Sequence, residues 1–242
     1  MIGRVILAVL LAGIAAGFVM GAIQHVRLTP LILDAEAFER AGVSAGHSHD
    51  ASISETATAQ PEADGHDHSE GWGPDNGWQR TLATTVTAAM TGAGFAAILA
   101  GLSLLIGVPI TRRNGILWGL CGFLAVTLAP AVGLPPQLPG MAEADLFARQ
   151  VWWVCTIAAT AAGIYLIATQ TLPWTLVLAA MLILAPHLVG APVPPHGDSV
   201  VPAELVARFV ANSIAANAVF WCFIGLFLGL VLDRSAKDLY TS

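Results

Sequence analysis

The sequence predicts an all-α, polytopic transmembrane helix bundle of about six spans, joined by one long disordered His-rich loop on the exterior side. Three observations carry this. The 242-residue chain is 56% hydrophobic and only 11% charged, against about 25% charged in an ordinary soluble domain. The mean hydropathy of +0.72 excludes a soluble enzyme, a disordered tail and a disulfide-stapled secreted domain. Finally, the charges are gathered at a few places. Runs of 22, 31, 29, 48 and 24 residues without Lys, Arg, Asp or Glu separate Arg4–Arg27, Arg80–Arg112, Arg113–Glu143, Arg149–Asp198 and Arg208–Asp233. About 20 apolar residues cross about 30 Å of hydrocarbon at about 1.5 Å per residue. Four runs therefore suit one span each. The longest would reach about 72 Å as one helix and must turn back.

The first span is expected at residues 5–23, where Gly13, Gly17 and Gly21 recur every fourth residue and allow close helix approach in lipid. Arg4 and the small residues Gly21 and Ala22 also fit a cleaved signal peptide. The apolar run is longer than a usual signal core, which favours a retained span. The second span is expected at 82–108 and the third at 116–132. The long run divides at Gln170-Thr171-Leu172-Pro173, because proline disfavours helix in the residue before it. A fourth span at 151–168 and a fifth at 174–189 result, and the sixth covers 209–232. Trp72, Trp78, Trp152, Trp153 and Trp174 fall at span ends, where interfacial anchors belong. Cys121, Cys155 and Cys222 are isolated in apolar segments, as small buried hydrophobes would be, with no CxxC spacing.

Arg4, Arg112, Arg113, Arg234 and Lys237 crowd the short segments on one side, whereas Arg27, Arg40, Arg80, Arg149 and Arg208 are spread through long segments on the other. Positive charge concentrates in short cytoplasmic flanks, so both termini are expected in the cytoplasm. Fourteen of the sixteen carboxylates then lie outside, with only Asp233 and Asp238 inside.

The middle of the large exterior segment, residues 42–77, is rich in Ala, Ser, Thr, Gly, Asp and Glu. It cannot bury enough apolar surface to fold alone and is expected to be disordered. It holds two matched elements, Gly46-His47-Ser48-His49-Asp50 and Gly65-His66-Asp67-His68-Ser69-Glu70. In an extended chain residues i and i+2 project to one side, so each imidazole pair could meet one ion. Imidazole with carboxylate suits cobalt, nickel, zinc or copper better than magnesium. The bland alternative is an acidic linker whose histidines happen to pair. Such a loop concentrates metal without selecting cobalt.

A second group of polar residues lies at the outer membrane edge: Gln24, His25, Asp34, Glu36, Glu39, His187, His196, Glu204, Arg208, Asn212 and Asn217. Ionisable groups at that depth are candidates for function. His25, Glu36, His187 and Glu204 could form a nitrogen/oxygen site for a partly dehydrated divalent ion. Plainer readings exist for some: His25 as a headgroup contact, His196 as a loop histidine, Glu204 as a helix-start acid. His187 follows Pro186 in an otherwise apolar span, which favours function. Asn212 and Asn217 could pair between helices. No P-loop or HExxH motif occurs, which excludes these ATPase and metalloprotease chemistries. The net charge of −6 argues against nucleic acid.

Gly21-Ala22-Ile23-Gln24-His25 through Leu28-Thr29-Pro30-Leu31-Ile32-Leu33-Asp34-Ala35-Glu36 resembles the start of the predicted cobalt transporter family CbtA. So do Leu134-Pro135-Pro136-Gln137-Leu138-Pro139-Gly140, Arg149-Gln150-Val151-Trp152-Trp153, Leu184-Ala185-Pro186-His187-Leu188-Val189-Gly190-Ala191-Pro192 and Val201-Pro202-Ala203-Glu204-Leu205. The resemblance implies a bacterial inner-membrane transporter component, with no tightly bound cofactor, that takes up cobalt(II) for cobalamin synthesis. It also implies a small single-span, His-containing partner resembling CbtB. It carries no ligand residues, so the site candidates rest on the residues alone. Metal efflux or tolerance, nickel import, and a non-transporting membrane scaffold or intramembrane enzyme are the other classes that these features admit.

Overall fold

The computed structural model describes residues 2–49, 77–194, 199 and 201–241. The described chain is helical, with elements α1 (Ile2–Ile23), α2 (Thr29–His49), α3 (Trp78–Ile106), α4 (Gly115–Gly122), α5 (Ala129–Gly133), α6 (Leu146–Thr169), α7 (Pro173–Val189) and α8 (Ala203–Thr241). Among the described residues, five helices are long and apolar enough to cross a membrane: Ile2–Ala41, Trp78–Ile106, Gly115–Gly133, Leu146–Thr169 and Ala203–Asp233. The expected fifth span is α7, whose 17 residues rise about 25 Å, short of about 30 Å of hydrocarbon. The break before it is where proline put it: Gln170 and Leu172 are extended and Pro173 opens α7.

The first span does not stop at Ile23. A π-helical turn, Gln24–Leu28, joins α1 to α2 without interruption. Pro30 lacks an N–H and its ring would press on the carbonyl four residues back. The chain widens instead, and the Thr29 N–H reaches back five residues to the Gln24 carbonyl, which also accepts from Thr29 Oγ1 at 3.1 Å. The same solution recurs before Pro130. There a π turn, Phe123–Leu128, links α4 to α5, and the Ala129 N–H bonds to the Leu124 carbonyl.

Residues 42–49, expected to be disordered, are the end of α2. Lack of apolar surface argues against independent folding, but a helix already nucleated extends at little cost. His47 and His49 thus lie on helical rather than extended backbone. Residues 50–76, with His66, His68 and Trp72, lie outside the described residues, as does His196.

Small residues set the packing. A Cβ on Gly13 would lie 2.2 Å from the Gly92 carbonyl oxygen, and one on Gly119 would lie 2.2 Å from that of Trp221. The α1–α3 and α4–α8 pairs therefore touch backbone to backbone, and both are antiparallel because Gly17 meets Ala88 and Gly115 meets Gly225. Val9, Ala16 and Met20 of α1, Ala96 and Leu99 of α3, and Phe220, Trp221, Ile224 and Leu228 of α8 form the buried centre. Trp221 tilts against Phe95 at 4.7 Å and donates to Thr127 Oγ1 at 3.1 Å.

The α6–α7 hairpin leans on the side of this centre, through α5 and the second π turn. Its outward side chains are large and apolar, among them Val154, Ile167, Val177, Met181 and Leu188, as lipid contact requires. Trp78 and Trp174 are exposed at helix starts, in keeping with interfacial anchoring. Trp152 is not: it is buried and donates from Nε1 to the Pro186 carbonyl at 3.1 Å. Its neighbour Trp153 is exposed, because consecutive helix residues face about 100° apart.

Candidate functional site

The antiparallel pairs bring residues 24–41, 77–81, 134–149, 187–194 and 201–208 to one face of the bundle. Residues 107–114 and 170–173 lie at the other, where Arg112 meets Asp233 at 3.4 Å. The four described residues of the proposed inner site, His25, Glu36, His187 and Glu204, all belong to the first face. They do not form one cluster. Among the described residues no group of three or more His, Cys, Asp or Glu side chains could hold a metal ion.

His25 is exposed in the π turn and borders a cavity of about 560 Å³ with Gly77, Trp78, Thr81, Leu82 and Thr85. Its Nδ1 lies 3.2 Å from Thr81 Oγ1. When that hydroxyl gives its single proton to the Gly77 carbonyl, 3.1 Å away, it can only accept from His25. In this arrangement the imidazole holds its proton on Nδ1, and Nε2 carries the lone pair that a metal or a donor would meet. Metal-binding histidines are oriented in this way by a partner on the other nitrogen.

Glu36, eleven residues further along the helix, is half-buried and held by Arg80. Arg80 Nη2 reaches Oε1 at 2.6 Å and Nη1 reaches Oε2 at 3.3 Å, a bidentate fork. His25 and Glu36 are separated by about 16 Å of helical rise, yet their partners, Thr81 and Arg80, are consecutive. α2 itself packs on α8, and it is the long Arg80 side chain that reaches across from the start of α3 to Glu36.

Glu204 stands exposed in the first turn of α8, which begins at Ala203 rather than at Phe209. With Asp34, Ala37, Phe38, Pro202, Leu205 and Arg208 it lines a second cavity of about 410 Å³ between α2 and α8. Two carboxylates from different helices and one guanidinium thus share an open pocket. His187 is elsewhere, partly buried in the last turn of α7 with its ring 5.9 Å from that of Trp152, edge to face. Asn212 and Asn217 do not pair between helices. Each donates to its own helix four residues back, to the Arg208 carbonyl at 2.8 Å and the Ser213 carbonyl at 3.0 Å, the local alternative open to short amides.

A model of the family described as "Probable cobalt transporter subunit (CbtA)" matches residues 2–233. The chain belongs to this family. Neither a curated protein nor a solved structure matches it. Membership and the five long apolar helices make this CbtA chain a membrane-spanning transporter component rather than a catalyst.

Within the CbtA chain, sequence reasoning missed Arg80 and Thr81, which in the sequence merely bound a span but in the fold orient or occupy two of the proposed metal contacts. Their signal was faint: a basic residue in the first turn of a helix, where the dipole disfavours it, implies a nearby acid. Arg149 is similarly engaged, donating to Gln137 Oε1 at 2.9 Å and to Glu143 Oε2 at 2.9 Å. These contacts tie the Pro-rich turn after α5 to α6, whose N-cap Asp145 accepts from the Ala148 N–H at 2.8 Å.

Proposed function

We propose that this CbtA chain forms the membrane pathway of a cobalt(II) importer in the bacterial inner membrane, with both termini in the cytoplasm. His47, His49, His66 and His68 collect divalent metal outside and pass it to the helix-end face bearing His25, Glu36, His187 and Glu204. What supports this reading above all is family membership over nearly the whole chain, joined to a single face that gathers the imidazoles and acids while lipid-facing residues surround the rest. Two open cavities on that face offer contacts of the needed type: the lone-pair nitrogen of His25 at one, Asp34 and Glu204 at the other.

The ion makes its contacts in succession along this face, rather than in one preformed cage. Weak successive contacts suit a pathway, because a cargo ion must leave as readily as it arrives. The membrane potential favours entry by about 2.3 kcal/mol per charge for each 100 mV, so a dication needs no ATPase in this chain. A small single-span, His-containing partner resembling CbtB completes the assembly.

The test is cobalt uptake by cells supplied with trace metal. His25→Ala and Glu204→Gln are expected to lower uptake at least tenfold, and His187→Ala to lower it less, since that ring is packed against Trp152. Normal uptake by the His25→Ala, His187→Ala double variant overturns the assignment of this face. Cells that become metal-sensitive on losing the protein, rather than cobalt-starved, would place it among exporters.

A further inference from the structure

We infer that Arg80 is a tethered competitor for the metal: its guanidinium occupies Glu36 while no ion is bound and must leave before Glu36 can act as a ligand. This rests on the proposed metal pathway and adds to it the residue that sets the pathway's affinity.

Three features of the structure lead here. The Arg80–Glu36 contact is bidentate, with both oxygens engaged, so the edge at which a dication would be chelated by both oxygens is taken. Both side chains are about one quarter exposed, so the guanidinium has water to move into. Arg80 also lies in the first turn of α3, whose start has no side-chain cap. A cation there opposes the helix dipole; it serves α3 poorly and serves Glu36 well. The adjacent Thr81 engages Nδ1 of His25, which leaves Nε2 as the nitrogen on the far side of the ring. One helical turn therefore presents the nitrogen ligand and withholds the oxygen ligand.

A fork of this kind is selective. A guanidinium matches a carboxylate in shape and charge and yields only to a cation that binds more strongly than it does. Monovalent ions do not displace it, whereas a dication brings twice the charge. Displacement also frees α2 from α3, since the fork joins residues 44 apart in sequence.

The experiment is calorimetric titration of the purified full chain in detergent with cobalt chloride, for wild type, Arg80→Gln, Arg80→Lys, Glu36→Gln and the Arg80→Gln/Glu36→Gln double variant. Arg80→Gln is expected to tighten cobalt binding about tenfold and Glu36→Gln to weaken it. The double variant is expected to match Glu36→Gln alone, because removing the competitor does nothing once the carboxylate is gone. Arg80→Lys keeps the charge but loses the fork; its expected tightening is smaller, and it carries the test should Arg80→Gln fail to fold. Affinity unchanged or weakened by both Arg80 substitutions overturns the inference and leaves the pathway standing. So does tightening that persists without the Glu36 carboxylate, which would be a general charge effect. Wild-type protein that binds no cobalt, or binding indifferent to Glu36→Gln, overturns the role of Glu36 in the pathway and this inference with it.

Discussion

Replacing Gly13 by alanine tests whether the α1–α3 contact holds the metal-facing end together. The new Cβ would stand 2.2 Å from the Gly92 carbonyl oxygen and 2.6 Å from Ala93 Cα. Reaching the 3.4 Å of ordinary contact requires the helices to part by about 1.2 Å, and the obstacle is backbone, which cannot rotate away. A gap of 0.5–1 Å already forfeits a quarter to a half of each dispersion contact, and overpacking costs about 1–3 kcal/mol. We therefore expect Gly13→Ala to lose about 2 kcal/mol, or about 4–8 °C in Tm for a chain of this size. Gly94 is the internal control. A Cβ there meets nothing within 4 Å, so Gly94→Ala keeps only the helix-propensity gain of about 0.5–1 kcal/mol. Thermal unfolding in detergent, followed by circular dichroism, reads both. The opposite signs are the point: a Gly13→Ala protein as stable as wild type, or a Gly94→Ala protein as damaged as Gly13→Ala, refutes the close approach. The same parting also draws α1 from α3 where His25 meets Thr81, so Gly13→Ala is expected to lower cobalt affinity as well.

Trp152→Phe removes the donor to the Pro186 carbonyl while keeping most of the ring. The carbonyl retains the Gly190 N–H at 3.1 Å, so the loss should be about 1 kcal/mol, seen in the same unfolding assay. A loss above about 3 kcal/mol would mean that Trp152 does more than join α6 to α7. Asp145→Ala deletes the α6 cap and should cost about 1 kcal/mol, whereas Asp145→Asn should cost little. Deleting residues 46–70 removes all four loop histidines and should weaken uptake only when metal is scarce. Abolished uptake at high metal would give the loop more than a collecting role.

The spans were legible because lipid imposes a blunt rule: charge-free stretches of the right length must be helices. The 48-residue run had to fold back, and Pro173 showed where. The continuity of α1 into α2 was not legible. Pro30 reads as a stop, and only the π turn, which moves the Thr29 bond back to Gln24, lets the helix pass it. That continuity decides the site, for it carries Asp34 and Glu36 away from His25 and sets Asp34 beside Glu204 of α8. Composition could place Glu36 at the outer edge but could not pair it with Arg80, because the two are 44 residues apart in sequence and meet only through the antiparallel packing of α1 and α3. Trp152 and Trp153 are identical in sequence terms, and only the approach of α7 distinguishes the buried ring from the exposed one. Composition misled in one place: residues 42–49 lack apolar surface yet continue a helix already begun.

Isotopic cobalt uptake into proteoliposomes, with an imposed potential and with the small single-span partner present or absent, tests the pathway most directly. An inside-negative potential of 100 mV favours a dication by about 4.6 kcal/mol, more than about a thousandfold in equilibrium concentration. Accumulation that rises with the potential and falls on His25→Ala is the result expected. Vesicles containing the purified proteins that take up no more cobalt than protein-free vesicles would contradict it.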